Sequence, residues 1–374
     1  MNNYIYFDNA ATTPLDTRVL ADMSPYFTQV YGNPHSRHVA GRDAMLAVDN
    51  ARDGISRILG CKSSELYFTA GGTEANNWAV KGIAAANSGK NNAIIISAIE
   101  HPSVMEAARA MQKYGFDVRL VYPDNQGIVS PQLVEKELKK GGAALVAVMA
   151  VNNETGVIQP VKEIYSLCRQ AGVHYHCDCV QAAGAFNVTA DMADSISLSA
   201  HKFYGPKGVG ALVIKGGTHI QPLINGGTQE RGLRGGTTNV AGVVGFYSAL
   251  KIAVRDMDKN NAHICALKDM IMGALYGTAV KINGSTRHRV PSNLNLQFTG
   301  YENTQVMAFL DRFNIAVSAG SACTAGDARP SHVLTAMGLT EREAASSIRI
   351  SIGKNNTTDD AETLISAIKE LFGR

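Results

Sequence analysis

Ile196-Ser197-Leu198-Ser199-Ala200-His201-Lys202-Phe203-Tyr204-Gly205-Pro206-Lys207-Gly208 sets one lysine among small, hydroxyl and glycine residues directly after a short apolar segment. The apolar segment is one of a series. Ala93–Ala98, Val118–Tyr122, Ala143–Val148 and Val173–Cys177 are further short runs, and amphipathic stretches separate them between about residues 65 and 215. This alternation predicts an α/β fold built on a mostly parallel sheet. Helix starts are marked by Ser130-Pro131, a cap followed by proline at the first helical position, and by Gln159-Pro160. The glycine-rich passage Gly226–Thr237 interrupts the rhythm and is too long and charged for a simple turn. Beyond it, Val240 to about Lys281 reads as mainly helical and Pro291–Phe298 as a strand. Thr357-Thr358-Asp359 caps a last helix in which Leu364, Ile365, Ile368 and Leu371 recur at helical spacing.

A chain of 374 residues exceeds one typical core, so two domains are expected. The boundary is placed near residue 255, with 15–255 as a large domain and 1–14 plus 256–374 as a smaller one. A hydrophobic content of 45% and a charged content of 18% suit an enzyme with a large interior. The formal net charge of +3, with no basic run, argues against direct nucleic-acid binding. No segment approaches the ~20 apolar residues needed to span a bilayer, and Met1–Pro14 lacks secretory character, so no membrane partner and a cytoplasmic location are expected. Six scattered cysteines, Cys61, Cys168, Cys177, Cys179, Cys265 and Cys323, fit reduced thiols better than a disulfide framework.

Lys202 sits where a carbonyl cofactor would be anchored, because a Schiff-base lysine must escape its usual pKa of ~10.4. The bland alternative is a solvated lysine in a Gly-Pro turn. Gly71-Gly72-Thr73-Glu74 follows the apolar Leu66-Tyr67-Phe68 and opens a helix, offering bare N–H groups and a hydroxyl to an anion. With Ser199 and His201 it makes a three-sided phosphate site; alone it is as readily a simple cap. His174-Tyr175-His176-Cys177-Asp178-Cys179 is crowded with metal-ligand types, but in an extended strand His174, His176 and Asp178 face one side and the two cysteines the other. No metal is therefore expected. Asp178, at a strand end, is suited to holding a pyridine nitrogen protonated.

His101, in Glu100-His101-Pro102-Ser103, ends another apolar run and reads as either a helix cap or a flat, near-neutral proton carrier. Cys323 lies in the small-residue stretch Ser318–Pro330, which has nothing bulky to bury a thiol, so it is either an incidental surface cysteine or a nucleophile. Arg349, among apolar neighbours in Ser347–Gly353, needs an anion, and either a protein carboxylate or a substrate carboxylate would serve. Asn33 could supply a second contact to the same group.

These passages, with Tyr6–Pro14, Val151-Asn152-Asn153-Glu154-Thr155-Gly156 and Gln229-Glu230-Arg231-Gly232-Leu233-Arg234, resemble the pyridoxal-phosphate-dependent cysteine desulfurases of the NifS/IscS-like type, within the class V aminotransferase group. The resemblance covers nearly the whole chain and implies a fold type I architecture, a large domain with a mostly parallel seven-stranded sheet plus a smaller α+β domain. It implies pyridoxal 5'-phosphate held covalently by Lys202, Asp178 on the ring nitrogen, Gln181 on the ring hydroxyl and His101 against the ring. Gly72, Thr73, Ser199 and His201 would hold the phosphate, with Thr237 from the other subunit of a homodimer. Asn33, Asn153 and Arg349 would receive the carboxylate of L-cysteine, Asn153 also touching the cofactor, and Cys323 would take the sulfur. A sulfur-acceptor protein, an iron–sulfur scaffold or a thiolation enzyme, is the implied partner.

Cys177 and Cys179 replace the small apolar residues usual beside the aspartate. The sequence ends at Arg374 without the longer tail of IscS-type members, so a NifS-like member is the nearer expectation. The cysteine stretch lacks the histidine-containing pattern of the SufS-type branch, which counts against selenocysteine lyase. A class V aminotransferase or lyase without sulfur transfer is the enzymatic alternative, and Cys323 argues against it. A catalytically silent scaffold would be expected to lose Lys202 or Asp178, and both are present.

Overall fold

The computed structural model describes residues 4–320 and 330–373. Its strands in chain order are β1 (Ile5–Tyr6), β2 (Leu66–Thr69), β3 (Ala93–Ser97), β4 (Asp117–Val121), β5 (Ala143–Ala147), β6 (His174–Asp178), β7 (Ser195–Ser199), β8 (Gly210–Ile214), β9 (Val280–Ile282), β10 (Asn293–Phe298), β11 (Ile315–Ala316) and β12 (Ser347–Ser351). Seven of them form the main sheet in the order β2-β8-β7-β6-β5-β3-β4. The pairs from β7 through β4 are parallel, whereas β8 runs antiparallel to both β2 and β7.

The central strands are buried on both faces, which is why they read as continuous apolar runs rather than alternating ones. Ile94, Ile96, Leu145, Leu212 and Ile214 join one core layer with Trp78, Ile83 and Val104 of the helices Gly72–Ala86 and Pro102–Met111. Ile95, Val146, Ile196 and Val213 point the other way, into a layer with Ile55, Leu59, Ile164 and Phe246 from the helices Val39–Leu59, Val161–Ala171 and Val240–Arg255. Side chains alternate in direction along each strand, so one strand supplies both layers.

The predicted helices from Pro131 and after Pro160 are present, as Pro131–Leu138 and Val161–Ala171. The stretch expected to be helical after residue 240 is two helices, Val240–Arg255 and Met257–Leu275, meeting at Asp256. Beyond it β10 is flanked by antiparallel β9 and β12. This sheet covers a third core, with Leu294, Leu296, Ile348 and Ile350 against Ile271, Leu310, Leu364 and Ile368. The amino-terminal segment joins the same region, since β1 pairs in parallel with β11 and Phe7 is buried in that core. The last helix, Thr358–Leu371, is capped by Thr357, whose hydroxyl accepts from the Asp360 N–H. Among the described residues no helix is long and apolar enough to cross a membrane.

Candidate active site

In open α/β sheets ligands gather at the carboxyl ends of the strands. Here β6 ends at Asp178, β7 at Ser199 and β3 at Ser97, shortly before His101, and their ends surround a cavity of about 150 Å³. Gly72, Thr73, His101, Asn153, Asp178, Gln181, Ser199, His201, Lys202 and Arg349 all line it. These are ten of the residues that the sequence marked, drawn together from places up to 277 positions apart (349 − 72).

Lys202 follows β7 in a short 3-10 turn, and its Nζ donates to the carbonyls of Ala10 (2.6 Å) and Ala11 (2.8 Å). The Ala10 carbonyl also accepts from Gln181 Nε2 at 2.9 Å. Asp178 is buried, and its carboxylate accepts from the Val180 N–H (2.9 Å) and from Asn76 Nδ2 (2.7 Å). His101 is the N-cap of the helix Pro102–Met111, and its Nδ1 accepts from the Ser103 N–H at 3.1 Å. Burial pushes the His101 pKa down; Asp178 opposes that shift, and Lys202 and His332 add to it.

One side of the cavity is an anion cradle. The helix Gly72–Ala86 begins there, and a second opening lined by Gly71, Gly72, Thr73, Ser199, His201 and Lys207 continues outward from it. A Cβ on Gly72 would lie 2.7 Å from Val180 Cγ2, so only glycine lets the helix start this close to the residue after Asp178 and Cys179. His201 Nδ1 lies 3.1 Å from Thr12 Oγ1, and its pKa falls to about 4 through burial, then through Lys202 and Lys207. A bound anion would oppose that shift.

Across the cavity is Arg349, 1% exposed, on β12. Both alternatives for its partner bear on it. Its Nη2 pairs with Asp8 Oδ1 at 2.7 Å and its Nη1 donates to the Asn153 carbonyl at 3.0 Å, yet its Nε has no hydrogen-bond partner among the described residues. The side-chain Oδ1 of Asn153, 5% exposed, is likewise without a partner among the described residues. Buried polar atoms are nearly always satisfied, so these two mark where a polar ligand belongs. A carbonyl-reactive lysine, a carboxylate for a ring nitrogen and an anion cradle lie around the same space. That donor set fits pyridoxal 5'-phosphate.

Asn33 and Thr237 are not among the cavity-lining residues. Asn33 is exposed, its Oδ1 accepting from the His35 N–H, and Thr237 is also exposed. Cys323 lies outside the described residues, but both flanks of its stretch are held beside the cavity. Ser318 pairs with the Arg349 backbone, and Ser331 Oγ donates to buried Glu154 Oε2 at 2.5 Å. His174, His176 and Asp178 share one side of β6, while Cys177 and Cys179 are buried in the opposite core layer with their sulfurs 3.7 Å apart. The sequence reading assigned no role to Asn76, Ser103 or Met149, which also line the cavity. Asn76 had one available signal, an amide inside a helix whose neighbours Ala75, Ala79 and Val80 are apolar.

The fold and this cavity together define a class of enzyme. The chain belongs to the class V aminotransferase family, whose profile matches residues 5–364. Within it, the chain is 39% identical to the cysteine desulfurase IscS of Dictyoglomus turgidum, over 100% of this chain and 95% of that one. Among solved structures, a NifS-like protein superposes with a TM-score of 0.93 at 36% identity, covering 99% of both chains. The structure described as SspA in complex with cysteine gives 0.83 at 33% identity, covering 94% of this chain and 99% of that one.

Proposed function

We infer that this chain is a pyridoxal 5'-phosphate-dependent cysteine desulfurase that converts L-cysteine to L-alanine and passes the sulfur on as a persulfide of Cys323. The observation that carries the reading is the cavity in which Lys202, Asp178 and the start of the helix Gly72–Ala86 surround the unsatisfied Asn153 Oδ1 and Arg349 Nε. When bound, the cofactor supplies an electron sink for bond cleavage in the amino acid.

Lys202 would hold the cofactor at its carbonyl carbon, and its Nζ would take the α-proton of the substrate. Asp178 would keep a proton on the ring nitrogen, Gln181 would meet the ring hydroxyl, and Thr73, Ser199, His201 and the helix N–H groups would hold the phosphate. Arg349 and Asn153 orient the substrate carboxylate, with Asn33 as a further contact. Thr237 would reach the phosphate of the partner subunit in a homodimer. The Cys323 thiolate attacks the substrate sulfur: a sulfur–sulfur bond forms, the carbon–sulfur bond breaks, and the electron pair left on carbon is protonated on the way to alanine. His101 moves protons at its imidazole between these groups.

Five cysteines, Cys61, Cys168, Cys177, Cys179 and Cys265, are free thiols, which supports a reducing, cytoplasmic setting. The cysteine in the SspA structure supports the substrate class. The acceptor of the persulfide is a partner protein, an iron–sulfur scaffold or a thiolation enzyme. We place the boundary between the two domains at Asp256, where two helices meet. The test is to incubate the yellow purified protein with L-cysteine and dithiothreitol and measure products. Alanine and sulfide in equal amounts are expected, and alanine without sulfide rejects the desulfurase reading.

A further inference from the structure

Glu74 stands in the first turn of the helix Gly72–Ala86, the turn that forms the anion cradle. Its Oε2 accepts from the Ala70 N–H at 2.8 Å, which closes the connection between β2 and the helix. A carboxylate there suits the helix, because the N-terminal end of the backbone dipole is positive. It does not suit a phosphate. The opening outside the cradle is lined by Lys81 and Lys207 beside Thr73, Ser199 and His201, and among its described lining residues Glu74 is the one carboxylate. One residue from Thr73, it repels the same anion that the helix N–H groups attract.

Arg234 answers that conflict. Its Nε donates to Glu74 Oε1 at 2.8 Å and its Nη2 to Glu74 Oε2 at 3.1 Å, a two-bond pairing of planar groups whose side chains are 19% and 13% exposed. Arg234 belongs to the glycine-rich and charged passage Gly226–Thr237, of which the mechanism uses only Thr237. The passage is held against β2. Glu230 pairs with Arg52 Nη2 at 2.7 Å and accepts from the Phe68 N–H at 3.0 Å, while Arg231 Nη2 donates to the Leu66 carbonyl at 2.7 Å. Glu230 and Arg231 have φ of 43° and 59°, in the left-handed region that residues other than glycine adopt at a cost. These bonds keep the reversed backbone in place, and Arg234 reaches the cradle helix from it.

We propose that Arg234 is a positioning residue for the cofactor's phosphate: it neutralises Glu74, so that the first turn of the cradle helix keeps the carboxylate that closes it without repelling the anion it is built to hold. The inference rests on the reading of this cavity as a pyridoxal 5'-phosphate site and deepens it. It makes the Glu74–Arg234 pair a determinant of selectivity for the phosphorylated cofactor over its unphosphorylated form. The lysine chemistry is common to both forms, so the pair should act on the phosphate alone.

The experiment titrates the cofactor-free full chain with pyridoxal 5'-phosphate and, separately, with pyridoxal, at about pH 8, where the phosphate is a dianion. Binding is read from the visible absorbance. In Arg234→Gln the affinity for pyridoxal 5'-phosphate should fall about tenfold, the effect of one uncompensated charge on a nearby, partly solvated dianion, while that for pyridoxal stays within about twofold. Added salt should narrow the loss. Glu74→Gln keeps an oxygen for the Ala70 N–H, so the double variant Glu74→Gln/Arg234→Gln should regain the wild-type affinity to within about threefold, and Arg234→Lys, which keeps the charge, should lose least. If Arg234→Gln yields no folded protein, Glu74→Gln alone carries the test: the unopposed guanidinium should tighten pyridoxal 5'-phosphate and leave pyridoxal unchanged. Equal weakening of both ligands, or a double variant as weak as Arg234→Gln, would mean that Arg234 only props the segment, and the proposal would fall. Affinity is read without turnover, so a wild type that binds the cofactor but makes no alanine fails as a desulfurase and leaves this result standing.

Discussion

Arg349→Lys separates the two partners that the structure gives this arginine. Nη2 is committed to Asp8 and Nη1 to the Asn153 carbonyl, while the buried Nε has no partner among the described residues. A lysine keeps a cation for Asp8 but has no planar fork to serve a second anion. The loss to folding is that of the Nη1 bond, about 1 kcal/mol. The loss to catalysis is a charge-assisted hydrogen bond to the substrate carboxylate, about 1.5–3 kcal/mol, which at 1.4 kcal/mol per decade is about 10- to 150-fold in kcat/KM. Alanine formation from L-cysteine should fall by that factor. Competitive inhibition by cysteamine, which lacks the carboxylate, should stay within about twofold of the wild type. Equal weakening of both ligands, or an unchanged kcat/KM for L-cysteine, would mean that Arg349 only neutralises Asp8, and the assignment of its Nε would be wrong.

Glu100 gives a pH test of stability. Its carboxyl is fully buried and pushed up to about 8 by desolvation, with Ser97 and the Met149 N–H opposing the shift and Asp178 adding to it. A folded-state pKa above the unfolded one stabilises below the unfolded value, near 4.5, and the contribution is lost as pH rises through 8. Glu100→Gln removes that titration, so the variant should gain on the wild type between pH 5 and 9 by on the order of a few kcal/mol, read by denaturant melts; parallel curves would contradict the buried protonated acid. Lys202→Ala should lose the cofactor's visible absorbance on dialysis and form no alanine, whereas a retained band would place the covalent anchor elsewhere. Cys323→Ala should keep that absorbance and bind L-cysteine while sulfide release falls by at least about 10³-fold, and normal turnover with dithiothreitol would remove Cys323 from the mechanism.

What could be read from the sequence was set by how local each signal is. Lys202, Asp178 and His101 each stand just after an apolar run, and in a parallel sheet all such ends fall on one edge, so their meeting follows from the alternation alone. The antiparallel β8 was not visible, because Gly210–Ile214 is apolar whichever way it runs. Arg349 showed that it needs an anion but not which one; Asp8 reaches it only because the amino-terminal segment bridges to Ser351. Asn76 was further out of reach. Its three partners sit 27 to 102 positions away and meet it only once the helix Gly72–Ala86 has crossed β6. A nucleophile, an acid or a cation declares itself by residue type near a strand end. A buried amide has the same type as any capped or solvated asparagine, and only the order of the strands beneath its helix gives it Asp178, Ser103 and His176 as neighbours.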